Sequence, residues 1–323
     1  MPACALIPML LAMASPGSTV ATGKITCDEP LLLKDQDYRG VTLDASSATF
    51  IEGALIRNVS GLHIKGGTWG RTDVDTKLLH VIRADTVSDF SISNATIVGN
   101  GNLKGGGISI QSNSARVTVR DNRLHGHMLG IGIRASTNLL VVRNEITGSS
   151  SDGINIVGNT NGIVAANLCH EFAKVPPAHP DCIQLWSIKD QPLQSDIYVI
   201  NNAAIGEMQG ILSSDPKTGS GRRLFFHGNY LPVTYSHTIT CGACVESVAT
   251  DNVLASHPGT KFGIGKLKGF EHPSNMTARN VMRDGVKSLP DRIWSDIVPP
   301  IAGQVGSRFD TRSFAPGRFK NAR

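Results

Sequence analysis

The run Val117-Thr-Val-Arg-Asp-Asn122-Arg-Leu-His125 returns as Leu139-Leu-Val-Val-Arg-Asn144-Glu-Ile-Thr147. In both, apolar residues alternate, an asparagine follows, and a triplet with one central apolar residue comes next. The same frame surrounds Asn94, Asn167, Asn202, Asn229, Asn252 and Asn280, at intervals of about 22 to 35 residues, the range of solenoid repeats. A second short alternation, such as Ile131-Gly-Ile133 or Ile154-Asn-Ile156, follows most frames. Period-2 alternation marks strands, and no helical period runs through the repeat. Two or three short strands per coil, separated by unequal turns, describe an all-β chain wound as a right-handed parallel β-helix solenoid. Asn suits the bend because it tolerates left-handed backbone and bonds its neighbours locally, and stacked coils would link the amides into a ladder.

Working outward from the ladder, the repeat reaches from about residue 46 to 284 as one domain. Residues 19–45 are expected to cap the open N-terminal end, where unpaired strand edges would otherwise lie bare. Residues 285–323, with Pro290, Pro299, Pro300 and Pro316, read as an irregular tail packed on the helix. The apolar stretch at residues 5–15 within the 1–18 segment has two readings: the hydrophobic part of a secretory signal, or a buried capping segment. A secreted or periplasmic protein follows from the first. No run is long enough to span a membrane.

The net charge is +5, with Lys and Arg crowded toward the tail rather than gathered in one patch. Without a recognition helix or an aromatic-interleaved basic stripe, nucleic acid is not the expected partner. An anionic polysaccharide fits a mild positive field better. Cys169 falls where Leu124, Ile146 and Leu231 stand in other coils, so it reads as a core thiol. Cys241 and Cys244 read as a local disulfide or two unpaired thiols, since zinc would need a second ligand pair.

The candidate site lies where coils depart from the frame. Aligning the second strands places Leu129, Asp152, Asp181 and Gln209 in one stack. Parallel strands lie about 4.8 Å apart, and carboxyls that close raise one another's pKa or bind a cation. The other reading of each Asp is a local turn cap. His125 and His170 should share a stack with Thr147 between them, while His127 and His179 lie in turns leading into the second strands. Asn155 and Gln184 alternate with inward residues and face outward, and Trp186 offers a ring for a sugar face. Insertions at residues 170–180 and 213–222 fall on the loop side, where solenoids build binding sites.

The segment His179-Pro-Asp181-Cys-Ile-Gln184, with Gln209-Gly-Ile211 one coil later, resembles the H-x-D-x-I-Q and Q-G-I pattern of right-handed β-helix proteins in the pectin-lyase-like superfamily. The likeness covers about residues 40–284 and implies a carbohydrate groove along the helix side. The N-T-D and R-I-K signatures of polygalacturonases and the R-x-P-x-x-R motif of classical pectate lyases are absent, so neither specific activity carries over.

The leading expectation is a polysaccharide lyase acting by β-elimination on a uronate-containing glycan. Asp152 and Asp181 would hold Ca²⁺, His170 or His179 would take the C5 proton, and Arg134 or Lys174 would bind the substrate carboxylate. The alternative is a glycoside hydrolase with Asp152 and Asp181 as paired carboxylates, Glu171 and Glu207 in reserve and the histidines as substrate contacts. A non-catalytic carbohydrate-binding or spike protein is the third reading.

Overall fold

The computed structural model describes residues 3–73, 75–101, 104–213, 219–258 and 265–283. The expected tail and residues 214–218 of the 213–222 insertion lie outside the described residues.

Alternation produces strands here because one side of each can reach a shared interior. Ile131, Ile154, Ile183, Ile211 and Ile239 pair in register on successive coils and are fully buried. That column is the spine of a narrow core built mainly of Ile, Val and Leu. Each typical coil has three strands: a six-residue strand before the ladder asparagine, such as Thr137–Val142; a three-residue strand after it, such as Glu145–Thr147; and a third, such as Leu129–Arg134 or Asp181–Trp186. Every pairing between them is parallel. The short strands form an 11-stranded sheet. The other two faces join into one 18-stranded sheet, because the long strands Leu31–Asp44, Ala54–Lys65 and His80–Ser93 run around their shared corner.

The ladder is continuous over seven rungs. Each amide Nδ2 donates to the next Oδ1 from Asn122 through Asn144, Asn167, Asn202, Asn229 and Asn252 to Asn280, at 2.8–3.0 Å. Two details differ from the sequence reading. The left-handed residue is the one before each rung: Asp121, Arg143, Ala166, Asn201, Gly228, Asp251 and Arg279 all have φ between 52° and 64°. The rung itself is chosen for its amide, which serves both neighbours at once. Asn94 belongs to the left-handed column, and Ala95 stands where the rung would be, its N–H donating to Asn122 Oδ1 at 3.0 Å.

The N-terminal end also differs. Thr19–Ala21 and Thr26–Cys27 already pair in parallel register with the following coil, so residues 19–45 are the first coil rather than a cap. The cap is the segment before them. Helix α1 (Ile7–Met13) buries Ile7 and Leu11, and Cys4 is bonded to Cys27. In this structure residues 5–15 lie over the first coil through Ile7 and Leu11, while Leu6, Met9, Leu10 and Met13 are exposed.

Candidate active site

The third strands present an outward row in which neighbours belong to successive coils. His80 pairs with Gly106, Gly106 with Leu129, and Asp181 with Gln209. Asp152 stands two residues before Ile154, as Asp181 does before its partner Ile183, which completes the expected stack of Leu129, Asp152, Asp181 and Gln209. Beside it runs a second row, with Asn155 paired to Gln184, and then a third, with Val157 paired to Trp186.

Asp152 and Asp181 are unequal partners. Asp152 is half-buried; its Oδ1 accepts the Asp181 backbone N–H at 3.1 Å and its Oδ2 accepts Asn155 Nδ2 at 3.3 Å. Burial pushes its carboxyl above the usual range, while those two bonds and one from Ser151 pull it back. Asp181 is 1% exposed and its Oδ1 has no donor among the described residues. Burial first, and the Asp152 charge second, hold its proton well above the usual carboxylate range. Asn155 Oδ1 and Gln209 Oε1 are likewise buried without a donor. Both carboxyls are thus pushed upward by burial, Asp181 the further of the two, while the hydrogen bonds to Asp152 offset part of the effect there.

A Ca²⁺ site fits poorly. Calcium gathers six to eight oxygens, whereas this corner offers two carboxyls, one sealed and the other already accepting two hydrogen bonds, with two amide oxygens. No group of three or more His, Cys, Asp or Glu side chains arranged to hold a metal occurs among the described residues.

A family model described as "right handed beta helix region" matches residues 39–252. The chain belongs to the right-handed β-helix family. Among solved structures it is similar to PfbA, a surface adhesin of Streptococcus pneumoniae, at 10% identity over 88% of each chain with a TM-score of 0.58. It is also similar to the A-module of the Azotobacter vinelandii mannuronan C-5 epimerase AlgE4, at 12% identity over 90% of this chain and 94% of that one, TM-score 0.45. The PL6 family alginate lyase AlyGC matches at 14% identity, TM-score 0.40, over 90% of this chain and 52% of the lyase. Likeness at such identities speaks for the fold alone. No curated protein matches.

This β-helix disperses the histidines that the sequence appeared to gather. His127 is 2% exposed; its Nε2 meets the Ile97 carbonyl at 3.1 Å, and burial lowers its pKa to about 4. It is a buried histidine whose ring lies against Gly99 and Gly107, at the base of a small pocket that Arg71 and Asn100 also line. His125 and His170 do flank Thr147, with His125 Nδ1 at 2.9 Å from the Thr147 hydroxyl. They lie on the short-strand sheet, however, and His170 Nε2 faces Glu145 at 3.1 Å, with Glu171 3.7 Å from Nδ1. His170 is therefore not bonded to either aspartate. His179 is exposed on the insertion two residues before Asp181, and Arg134 and Glu207 are exposed; Gln184 and Trp186 are half-buried on the site face. Cys169 is buried as expected, but its sulfur is bonded to Cys182 rather than free, and Cys241 is bonded to Cys244.

The sequence reading missed the basic end of the row. Ile211 pairs with Ile239, so His237 extends the stack one coil beyond Gln209, and Lys266 pairs with His237. Lys268 pairs with Thr240 in the second row. Burial, then Lys268 and Lys266, lower the His237 pKa. The signal was the Ile211–Ile239 alignment, obscured because the coil of Ile239 carries Thr238 where Gly130, Gly153 and Gly210 stand in other coils.

Proposed function

We propose that this protein is a carbohydrate-active enzyme that cleaves glycosidic bonds on the outward face of its third strands, with Asp152 and Asp181 as the acid–base centre. One observation carries this reading: two carboxyls on adjacent coils, one sealed with an oxygen that lacks a donor and the other half-buried and accepting two hydrogen bonds. The pairing favours hydrolysis over elimination. Strands about 4.8 Å apart bring carboxyls near the ~5 Å separation of retaining glycosidases. Asp181 would give its proton to the leaving glycosidic oxygen as Asp152 attacks the anomeric carbon. Water would then release the sugar, returning the proton to Asp181.

Elimination draws support from a different observation. His237, held neutral, and the cations Lys266 and Lys268 share the face, a base and two charges suited to a uronate. Of the two histidines expected as its base, His170 faces Glu145, which leaves His179 beside Asp181. Three disulfides, which persist in oxidising compartments, support a secreted or periplasmic site of action. No helix among the described residues is long and apolar enough to cross a membrane.

The test is a screen of acidic and neutral polysaccharides that follows reducing ends and absorbance near 235 nm together, with and without EDTA. Reducing ends without absorbance, lost in Asp152→Asn and Asp181→Asn, is the expected result. Both signals rising would transfer the chemistry to elimination, and sensitivity to EDTA would restore the cation. Glycan binding without turnover would make the protein a binding module.

A further inference from the structure

The insertion between Leu168–His170 and Asp181–Trp186 is fastened at three places. Its base is closed by the Cys169–Cys182 disulfide. Its outgoing limb bonds to the coil before, through Ala173 N–H to the Ser149 carbonyl at 2.9 Å and Val175 N–H to the Ser150 carbonyl at 3.2 Å. Between these, Lys174 reaches forward to the turn two coils beyond its own, where its ammonium donates to the Tyr235 hydroxyl at 2.5 Å and lies 5.2 Å from the ring centroid. The link therefore runs from the turn that leads into Asp181, over the turn that leads into Gln209, to the turn that leads into His237.

Near it lie acceptors that lack donors. Asp181 Oδ1, Asn155 Oδ1 and Gln209 Oε1 are buried on three neighbouring strands with no partner among the described residues. A buried acceptor without a donor is costly, and settled interiors rarely leave several together. The amide oxygens of Asn155 and Gln209 can only accept, and a protonated Asp181 can both donate and accept, so the corner suits a neutral hydroxyl and not an anion.

We propose that the Lys174–Tyr235 link is a latch over this corner, and that the ligand it admits is a neutral sugar face whose hydroxyls donate to Asp181, Asn155 and Gln209. The ligand half rests on the glycan reading given above; the latch stands or falls without it. Lys266 and Lys268, farther along the face, are then the place for any anionic group on an adjoining sugar.

Carbodiimide coupling of an amine to carboxyl groups, located by mass spectrometry, reads the latch directly. Asp181 should couple slowly in the wild-type protein while exposed Glu207 couples fast. Tyr235→Phe, which removes the accepting hydroxyl, and Lys174→Met, which removes the ammonium, should each speed coupling at Asp181 about tenfold, the shift expected for losing one hydrogen bond to a charged group. Glu207 coupling and circular dichroism should stay unchanged. Slow coupling at Asp181 in both variants would overturn the latch. In Tyr235→Phe, neutral oligosaccharides should restore protection of Asp181. Protection by uronate oligomers alone, or by no oligosaccharide, would overturn the ligand assignment. Rapid coupling with neither protection nor cleavage of any glycan would leave the latch and remove the glycan reading.

Discussion

Asp152 Oδ1 accepts the backbone N–H of Asp181 at 3.1 Å, so one carboxylate of the pair is fastened to the strand that carries the other. An asparagine at position 152 can offer the same acceptor, and at 181 an amide replaces an acid that already holds its proton. Asp152→Asn and Asp181→Asn should therefore fold as the wild type does, by circular dichroism and thermal melting, while release of reducing ends falls by about 10²–10⁴-fold. A melted Asp152→Asn would mark the residue as structural.

The raised pKa of Asp181 has a sign in stability. A carboxyl whose folded pKa lies above its unfolded value of about 3.9 contributes stability that is fully present below that pH. The contribution is lost as pH rises through the folded pKa. Asp181→Asn removes this loss. Its melting temperature relative to wild type should climb as pH goes from 4 to 8, and a difference independent of pH would contradict the burial of the charge.

His127 acts in the opposite direction. With a folded pKa of about 4, its stabilising effect is complete above the unfolded value and disappears as pH falls from about 6.5 toward 4. At about 1.4 kcal/mol per pH unit the loss approaches ~3 kcal/mol at pH 4. Urea titrations at pH 7, 5.5 and 4.5 should show wild type weakening in acid more steeply than His127→Gln.

Asn167 occupies the middle of the ladder. Its amide donates to Asn202 Oδ1 and to the Val141 carbonyl, and it accepts from the Asn144 backbone and side chain, all at 3.0 Å. Asn167→Leu strands those partners without reaching the site face, at an expected cost of about 3 kcal/mol in chemical denaturation. Asn280→Leu, at the last rung, should cost less than half of that.

The Cys169–Cys182 disulfide closes a short loop at the root of Asp181. Replacing both cysteines by alanine should cost up to ~3 kcal/mol, the loop-closure value for a loop of roughly this length. Reducing agent should lower the melting temperature of the double variant less than that of the wild type, since only the Cys4–Cys27 and Cys241–Cys244 bonds are left in the variant to reduce.

How much was legible follows from how a solenoid maps sequence onto space. Coils stack in register, so equal offsets from Asn144 and Asn167 became neighbours, and Leu129, Asp152, Asp181 and Gln209 fell into one row as read. What the frame left out was orientation. His125 and His170 shared an offset and so a stack, but the short strand that carries them forms another sheet, with Glu145 for a partner. His127 looked like a turn histidine and proved to be core, because the side to which a turn residue points depends on the turn's own path.

The sequence by itself determined the winding, the ladder and the stacking of the two aspartates, because each follows from spacing along a chain that repeats. Only the tertiary structure decided that Asp181 is sealed while Asp152 is half-open. It alone decided that Cys169 finds Cys182, that the apolar N-terminus closes the first coil, and that Lys174 reaches Tyr235 two coils on. Those outcomes depend on which loops and ends fold back over the coils, a matter of surface covered and water excluded, which repeat spacing does not encode.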